Sequence, residues 1–278
     1  MDPTPLFDPA SDRDVSLYDE LPLWSALAGE LLLENVTLAG ARRVLDLGCG
    51  AGFPLLELAE RLGPKAFVSG LDPWRQALCR AQAKVARWCP GTAGVVCGIG
   101  AALPFRGGAF DLVVSNLGVN NFDDAPGALR ECRRVLRPGG ILGLSSNLVG
   151  HMHELYAAFE RVLATSGDRD ALERLRLHVG HRATLASLRS GLESAGLRVT
   201  LVRERQALLR FANADALFAH HFIRLGFRPA WEEIAGPAAF AALHAELDRA
   251  AAADGELRLT VPLAYLEARR ALPEHAAD

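Results

Sequence analysis

The chain has 278 residues, half of them hydrophobic, with a net charge of −3 and a pI near 6.3. That is enough apolar material for one large core, or for one domain with a sizeable insertion. There is no basic excess of the kind that non-specific nucleic-acid binding needs to neutralise phosphates, and no apolar run approaches the ~20 residues of a membrane helix.

After an irregular start, "LPLWSALAGELLLENV" places Leu23, Trp24, Leu27, Leu31 and Leu32 at helical spacing. A βα alternation follows. "RRVLDLG" reads as a buried strand and "PLLELAERLG" as a helix stopped by Gly63-Pro64. "AFVSGLD" is a strand, "PWRQALCRAQAKVARW" a helix and "GVVCGI" a short strand. "AFDLVVSNL" is a strand entered through Gly107-Gly108, and "DAPGALRECRRVL" is a helix with one apolar face. "RPGG" turns the chain into the strand "ILGLSSN". Strands alternating with helices imply a parallel α/β sheet, which binds ligands at the carboxyl ends of its strands. The second half is more helical. "HELYAAFERVLATSG", "RATLASLRSGLESAG", "ADALFAHHFIRLGF" and "PAAFAALHAELDRAAAA" read as helices, "LRVTLVRERQALLRF" as one or two strands and "GELRLTVPLAYLEARR" as a late strand. The expected organisation is an N-terminal helical lid over 1–40, a core over 41–212 and 255–278, and a helical insertion over 213–254.

The stretch "VLDLGCGAGFP" ends an apolar run in Asp46 and then places Gly48, Gly50 and Gly52 at alternate positions. The dinucleotide fingerprint GxGxxG would need glycine where Phe53 stands. A carboxylate at Asp46 repels a pyrophosphate and attracts a cation. S-adenosylmethionine (SAM) meets both conditions, with a positive amino group and sulfonium and a carboxylate suited to a helix N-terminus.

These residues, with "SGLDPW", "LPFRGGAFDLVVSNLGV" and "ALRECRRVLRPGG", resemble the ordered motifs of class I SAM-dependent methyltransferases, in the small-molecule branch that includes quinone-biosynthesis enzymes. The resemblance covers about residues 40–150. It implies a Rossmann-like seven-stranded sheet whose last strand is antiparallel, with helices on both faces. It implies that Asp46 binds the methionyl amino group, with Gly48, Cys49 and Gly50 giving close backbone contacts. It implies that Asp72 accepts the ribose hydroxyls, although Asp72 equally suits a cap on a helix starting at Pro73. Pro73 and Trp74 would cover the adenine, or Trp74 would be core. Relatives often carry an acid after the third strand. Here that position is Ile99, followed by Gly100 and Ala101, so adenine would be read by backbone and apolar packing. In such enzymes the N-terminal segment folds over the cofactor, which would set Tyr18 against the methionyl side and Trp24 at the acceptor, unless both simply pack the first helix.

For the acceptor, "SNLGVNNFDD" lacks the Asp/Asn-Pro-Pro-aromatic motif of nucleic-acid amino methylases. Asn116 and Leu117 are placed beside the cofactor, and Asn120 and Asn121 toward the acceptor or in a turn. His151 is the candidate base or orienting donor, and His220-His221 a second pair. Methyl transfer from a sulfonium demands positioning more than acid–base chemistry, so no base need be present. HxH with Glu154, or His178 with His181, lacks further ligands, and no metal is expected. Lys65 and Lys84 are the only lysines, which argues against a catalytic lysine. The cysteines Cys49, Cys79, Cys89, Cys97 and Cys132 form no CxxC pair, and the opening "MDPTPLFDPASDRD" is not built like a signal peptide. A cytoplasmic monomer or homodimer is expected, acting on a small molecule and not on nucleic acid or membrane. Two rivals stand beside this reading: a nicotinamide-dependent oxidoreductase, and a methyltransferase-like domain that binds SAM without turnover.

Overall fold

The computed structural model describes residues 8, 10–180 and 182–272. Along the chain run α1 (Asp12–Glu20), α2 (Leu23–Asn35), β1 (Arg43–Leu47), α3 (Leu55–Leu62), β2 (Phe67–Asp72), α4 (Arg75–Trp88), β3 (Ala93–Cys97) and β4 (Phe110–Asn116). A 3-10 turn at Gly118–Asn121 leads to α5 (Ala125–Val135), β5 (Leu136–Asn147), α6 (His153–Ser166), α7 (Arg169–Gly180), α8 (Leu185–Ser194) and β6 (Leu197–Phe211). The chain closes with α9 (Ala214–Ala219), α10 (His221–Gly226), α11 (Arg228–Asp254) and β7 (Leu257–Arg270).

The strands form one seven-stranded sheet in the order β3-β2-β1-β4-β5-β7-β6. The pairs among β1 to β5 are parallel, and β7 runs antiparallel to β5. This is the sheet that the resemblance implied. β1 and β4 are buried almost throughout because helices cover both faces of a parallel sheet, which explains their unbroken apolar runs. α5 starts where Asp124 accepts a hydrogen bond from the Gly127 amide with Pro126 in the first turn.

The chain divides into two compact units. Among the described residues, those within 24–147, 183–205 and 263–278 form a sheet unit and those within 1–23, 148–182 and 206–262 a helical unit. The segment 213–254 therefore belongs with α6 and α7. The helical unit has its own core around Trp231, Phe159, Leu163, Leu175, Leu243 and Leu247.

Several local expectations change. Residues 12–20 are helical rather than irregular, with Ser11 accepting from the Asp14 amide. α7 carried no strong pattern, since it buries only Ala171 and Leu175. "ADALFAHHFIRLGF" is two short helices, because His220 leaves helical geometry at ψ 124°. α11 begins at Arg228, well before the expected start, and bends at Gly236 (φ 67°), just ahead of Pro237. "RPGG" lies inside β5, where a register shift between Phe110 and Leu112 absorbs Gly139 at φ 74°.

Candidate functional site

Strand order reverses between β1 and β4, and the glycine loop lies at the carboxyl end of β1. That is where an open α/β sheet leaves a crevice. The Leu71 carbonyl accepts hydrogen bonds from Gly48 (2.8 Å) and Cys49 (3.2 Å), which turns the loop back over β2. Gly48 has φ +82°, and a Cβ there would come within 3.3 Å of the Gly118 Cα. A Cβ on Gly118 would in turn lie 2.9 Å from the Leu47 carbonyl oxygen and 2.5 Å from Ser115 Oγ. The two loops approach at backbone distance, which only glycine permits. Gly50 (φ +49°) has open space on its Cβ side. The Cys49 side chain is buried and turned inward, into the space that Gly70 leaves by lacking a Cβ.

Asp46 and Asp72 stand on the neighbouring strands β1 and β2. Asp46 is fully buried, and neither carboxylate oxygen makes a hydrogen bond of ordinary geometry. Burial first, and the charge of Asp72 second, push its pKa up to about 8; the Leu55 amide offsets this only in part. Asp72 accepts from the Gly50 amide through Oδ2 (2.9 Å) and from the Trp74 amide through Oδ1 (2.8 Å). Burial raises its pKa, and those two amides pull it back. Asp72 thus holds the glycine loop and the entry to α4. The helix starts at Arg75, with Trp74 as its N-cap rather than Asp72. Pro73 is exposed and Trp74 half-buried. Gly100 and Ala101 form a half-buried turn after β3, with the Ala102 amide donating to the Ile99 carbonyl. Ile99 is 56% exposed.

At the carboxyl ends of β4 and β5, Asn116 is buried and its side chain is engaged. Its Nδ2 donates to the Ser25 carbonyl (2.9 Å), and its Oδ1 accepts from Ser145 Oγ (2.7 Å). It fastens α2 to the sheet. Leu117 is buried in the left-handed region at φ 61°. Asn121 Nδ2 donates to the Leu117 carbonyl at 3.4 Å, within the 3-10 turn. Asn120 bridges Asn147 Oδ1 (2.6 Å) and Ser146 Oγ (2.6 Å). Ser115, Gly118, Ser145 and Asn147 carry no signal in the sequence because their partners lie on elements distant along the chain or across the sheet.

A model described as a methyltransferase domain matches residues 45–144. Nocamycin O-methyltransferase of Saccharothrix syringae is 30% identical over 93% of this chain and 96% of its own length. The chain belongs to the class I SAM-dependent methyltransferases. A demethylmenaquinone methyltransferase of Lactococcus lactis is 39% identical over 35% of the chain and 38% of its own. A solved structure from Bacillus halodurans shares the fold, with a TM-score of 0.60 at 18% identity over 87% of this chain and 98% of that one.

In this methyltransferase, Tyr18 and His151 fall in the helical unit and the other candidate residues in the sheet unit. Tyr18 is 41% exposed on α1, its ring centroid 5.7 Å from that of Phe222. His151 is buried, with ring centroids of Tyr156 at 5.5 Å and Phe227 at 6.1 Å. The His220 and His221 ring centroids lie 4.5 Å apart with the rings tilted by 38°, and burial with the neighbouring His221 lowers the His220 pKa. Glu154 accepts from the Thr260 amide (2.9 Å) and its hydroxyl, so it ties α6 to β7. Trp24 is buried on α2. His181 lies outside the described residues. Among the described residues no group of three His, Cys, Asp or Glu is placed to hold a metal ion, and no helix is long and apolar enough to cross a membrane.

Proposed function

We propose that the crevice around Asp46, Gly50 and Asp72 holds SAM, and that the methyl group goes to an oxygen of a small molecule. The observation that carries the cofactor assignment is Asp46, a buried acid whose oxygens make no hydrogen bond of ordinary geometry, beside a glycine cradle. A buried acid in that state calls for a cationic ligand group. When bound, SAM supplies a methyl group on a positively charged sulfur. Asp46 would accept from its ammonium group, and the Gly48–Gly50 backbone would line it. Asp72 uses one lone pair of each oxygen on backbone amides, which leaves acceptor capacity for ribose hydroxyls. Pro73, Trp74, Gly100 and Ala101 would flank the base, and Asn116 would act indirectly by fixing α2 and Leu117. The full-length likeness to an O-methyltransferase supports oxygen as the acceptor atom.

Calorimetry with S-adenosylhomocysteine and NAD on the wild type and Asp46→Asn tests this reading. Binding of the sulfur nucleoside alone, weakened at least tenfold in Asp46→Asn, is expected. Equal binding of NAD, or an Asn variant with unchanged affinity, would overturn it.

A further inference from the structure

Among the described residues of the sheet unit, two hold buried side-chain atoms that make no hydrogen bond of ordinary geometry: Asp46, through both oxygens, and Asn147, through Nδ2. Both stand toward the carboxyl edge of the sheet. Asp46 is level with Val114 of β4, and Val114 with Gly143 of β5; Asn147 ends β5 four residues further on. At ~3.3 Å per residue and ~4.8 Å between strands, their backbones lie about 16 Å apart. The two cannot satisfy each other.

Asn147 is 1% exposed, so its amide does not face bulk water. Its neighbours set its orientation. Ser146 Oγ donates to Asn120 Oδ1 (2.6 Å), which leaves Asn120 Nδ2 to donate to Asn147 Oδ1 (2.6 Å). The chain of bonds runs one way and finishes on Asn147, whose oxygen is used and whose Nδ2 hydrogens are not. The other polar side chains at this edge are committed: Ser115 Oγ to the Leu47 carbonyl, Ser145 Oγ to Asn116 Oδ1, and Asn116 Nδ2 to the Ser25 carbonyl. An amide at the end of a hydrogen-bonded chain is polarised toward donating. A buried N–H without an acceptor carries its full desolvation cost. Such a group is kept where something from outside the protein supplies the missing acceptor.

We infer that Asn147 Nδ2 is a ligand contact that receives an oxygen of carbonyl, enolate or carboxylate type. This deepens the reading given above, on which it rests only in taking that oxygen as part of the methyl acceptor. Asp46 then meets the cationic group of one molecule and Asn147 an oxygen of the other, both within the sheet unit.

The test uses the full chain labelled for amide NMR. Dimethyl sulfoxide is the probe, because it accepts hydrogen bonds and donates none. Dimethyl sulfide, the same frame without the oxygen, is the control. The Asn147 side-chain amide is the signal missing from Asn147→Asp. The sulfoxide should move it downfield in a saturable titration, and the sulfide should leave it in place. A crystal soaked in the sulfoxide reads the same contact without any variant, and its oxygen is expected within hydrogen-bonding distance of Nδ2. An amide that ignores the sulfoxide, or answers the sulfide equally, overturns the inference. So does a soaked crystal in which Nδ2 keeps an ordered water or a protein partner and the sulfoxide lies elsewhere. S-adenosylhomocysteine titrated into the same protein reads the Asp46 side separately. If it fails to bind while Asn147 keeps its response, the cofactor assignment falls and the oxygen site stands.

Discussion

A carboxylate enclosed by protein on all sides must either lose its charge or meet a cation. Asp46, raised to about 8, takes the first course when alone. At pH 7 it is mostly protonated, whereas a ligand amino group near ~8 is mostly charged. Binding that cation favours the ionised acid, so S-adenosylhomocysteine binding at pH 7 is expected to release most of one proton. Calorimetry in buffers of different ionisation enthalpy reads this directly, and Asp46→Asn should abolish the release. A wild type that releases none would show that no cation meets this residue. Asp72 gives a different prediction because its oxygens already serve the Gly50 and Trp74 amides. Asp72→Ala should weaken nucleoside binding more than tenfold and also lower the melting temperature, since two amides lose a charged partner worth ~1.5–3 kcal/mol each at most. Full stability together with lost affinity would mean that the loop does not depend on those bonds.

The elements around the crevice are held at backbone distance, and this is where substitution should act through packing. Gly118→Ala would drive a methyl into the Leu47 carbonyl and Ser115 Oγ. A loss of about 1–3 kcal/mol in urea unfolding is expected, as for other overpacked sites. Asn116→Ala should cost a similar ~1–3 kcal/mol by leaving Ser145 and the Ser25 carbonyl without their partner. A neutral result at Asn116 would separate α2 from the sheet energetically. The sequence made β1, its glycine loop and β2 plain because local rules govern them: unbroken apolar runs, glycines at positive φ and an acid closing a strand. It concealed α1 and α7, which bury few residues, and the bend in α11, where Gly236 interrupts an otherwise continuous helical run. Asn121 reads from the sequence as a residue for the acceptor or a turn; in the fold its Nδ2 donates to the Leu117 carbonyl, a partner the sequence does not announce.

Across the whole molecule, acids shifted in opposite directions set how stability should follow pH. Burial raises Asp46 and Asp72. The native state therefore keeps protons that the unfolded chain has already lost; Asp46 makes stability fall as pH rises from ~4 toward 8, by at most ~1.4 kcal/mol per pH unit, and Asp72 acts in the same direction. Asp111 and Glu131 work the other way. Burial pushes Asp111 up, but the Arg43 and Arg42 amides and the Arg137 guanidinium outweigh it; the Arg134 side chain lowers Glu131. Their contribution is complete above the unfolded carboxyl range and is lost on acidification through their lower native values. Of the four, Asp46 and Asp72 favour the acid side of neutrality, and Asp111 and Glu131 oppose further acidification. A bound ammonium group would ionise Asp46 and remove much of the alkaline limb, while ligand at a hundredfold its Kd adds ~2.7 kcal/mol by mass action. Melting temperatures at pH 5, 6.5 and 8 should therefore decline without ligand and flatten with saturating S-adenosylhomocysteine, and Asp46→Asn should be flatter than wild type without any ligand. A ligand-free wild type that gains stability steadily from pH 5 to 8 would contradict the buried, unpaired state of Asp46 and with it the cationic character of the site.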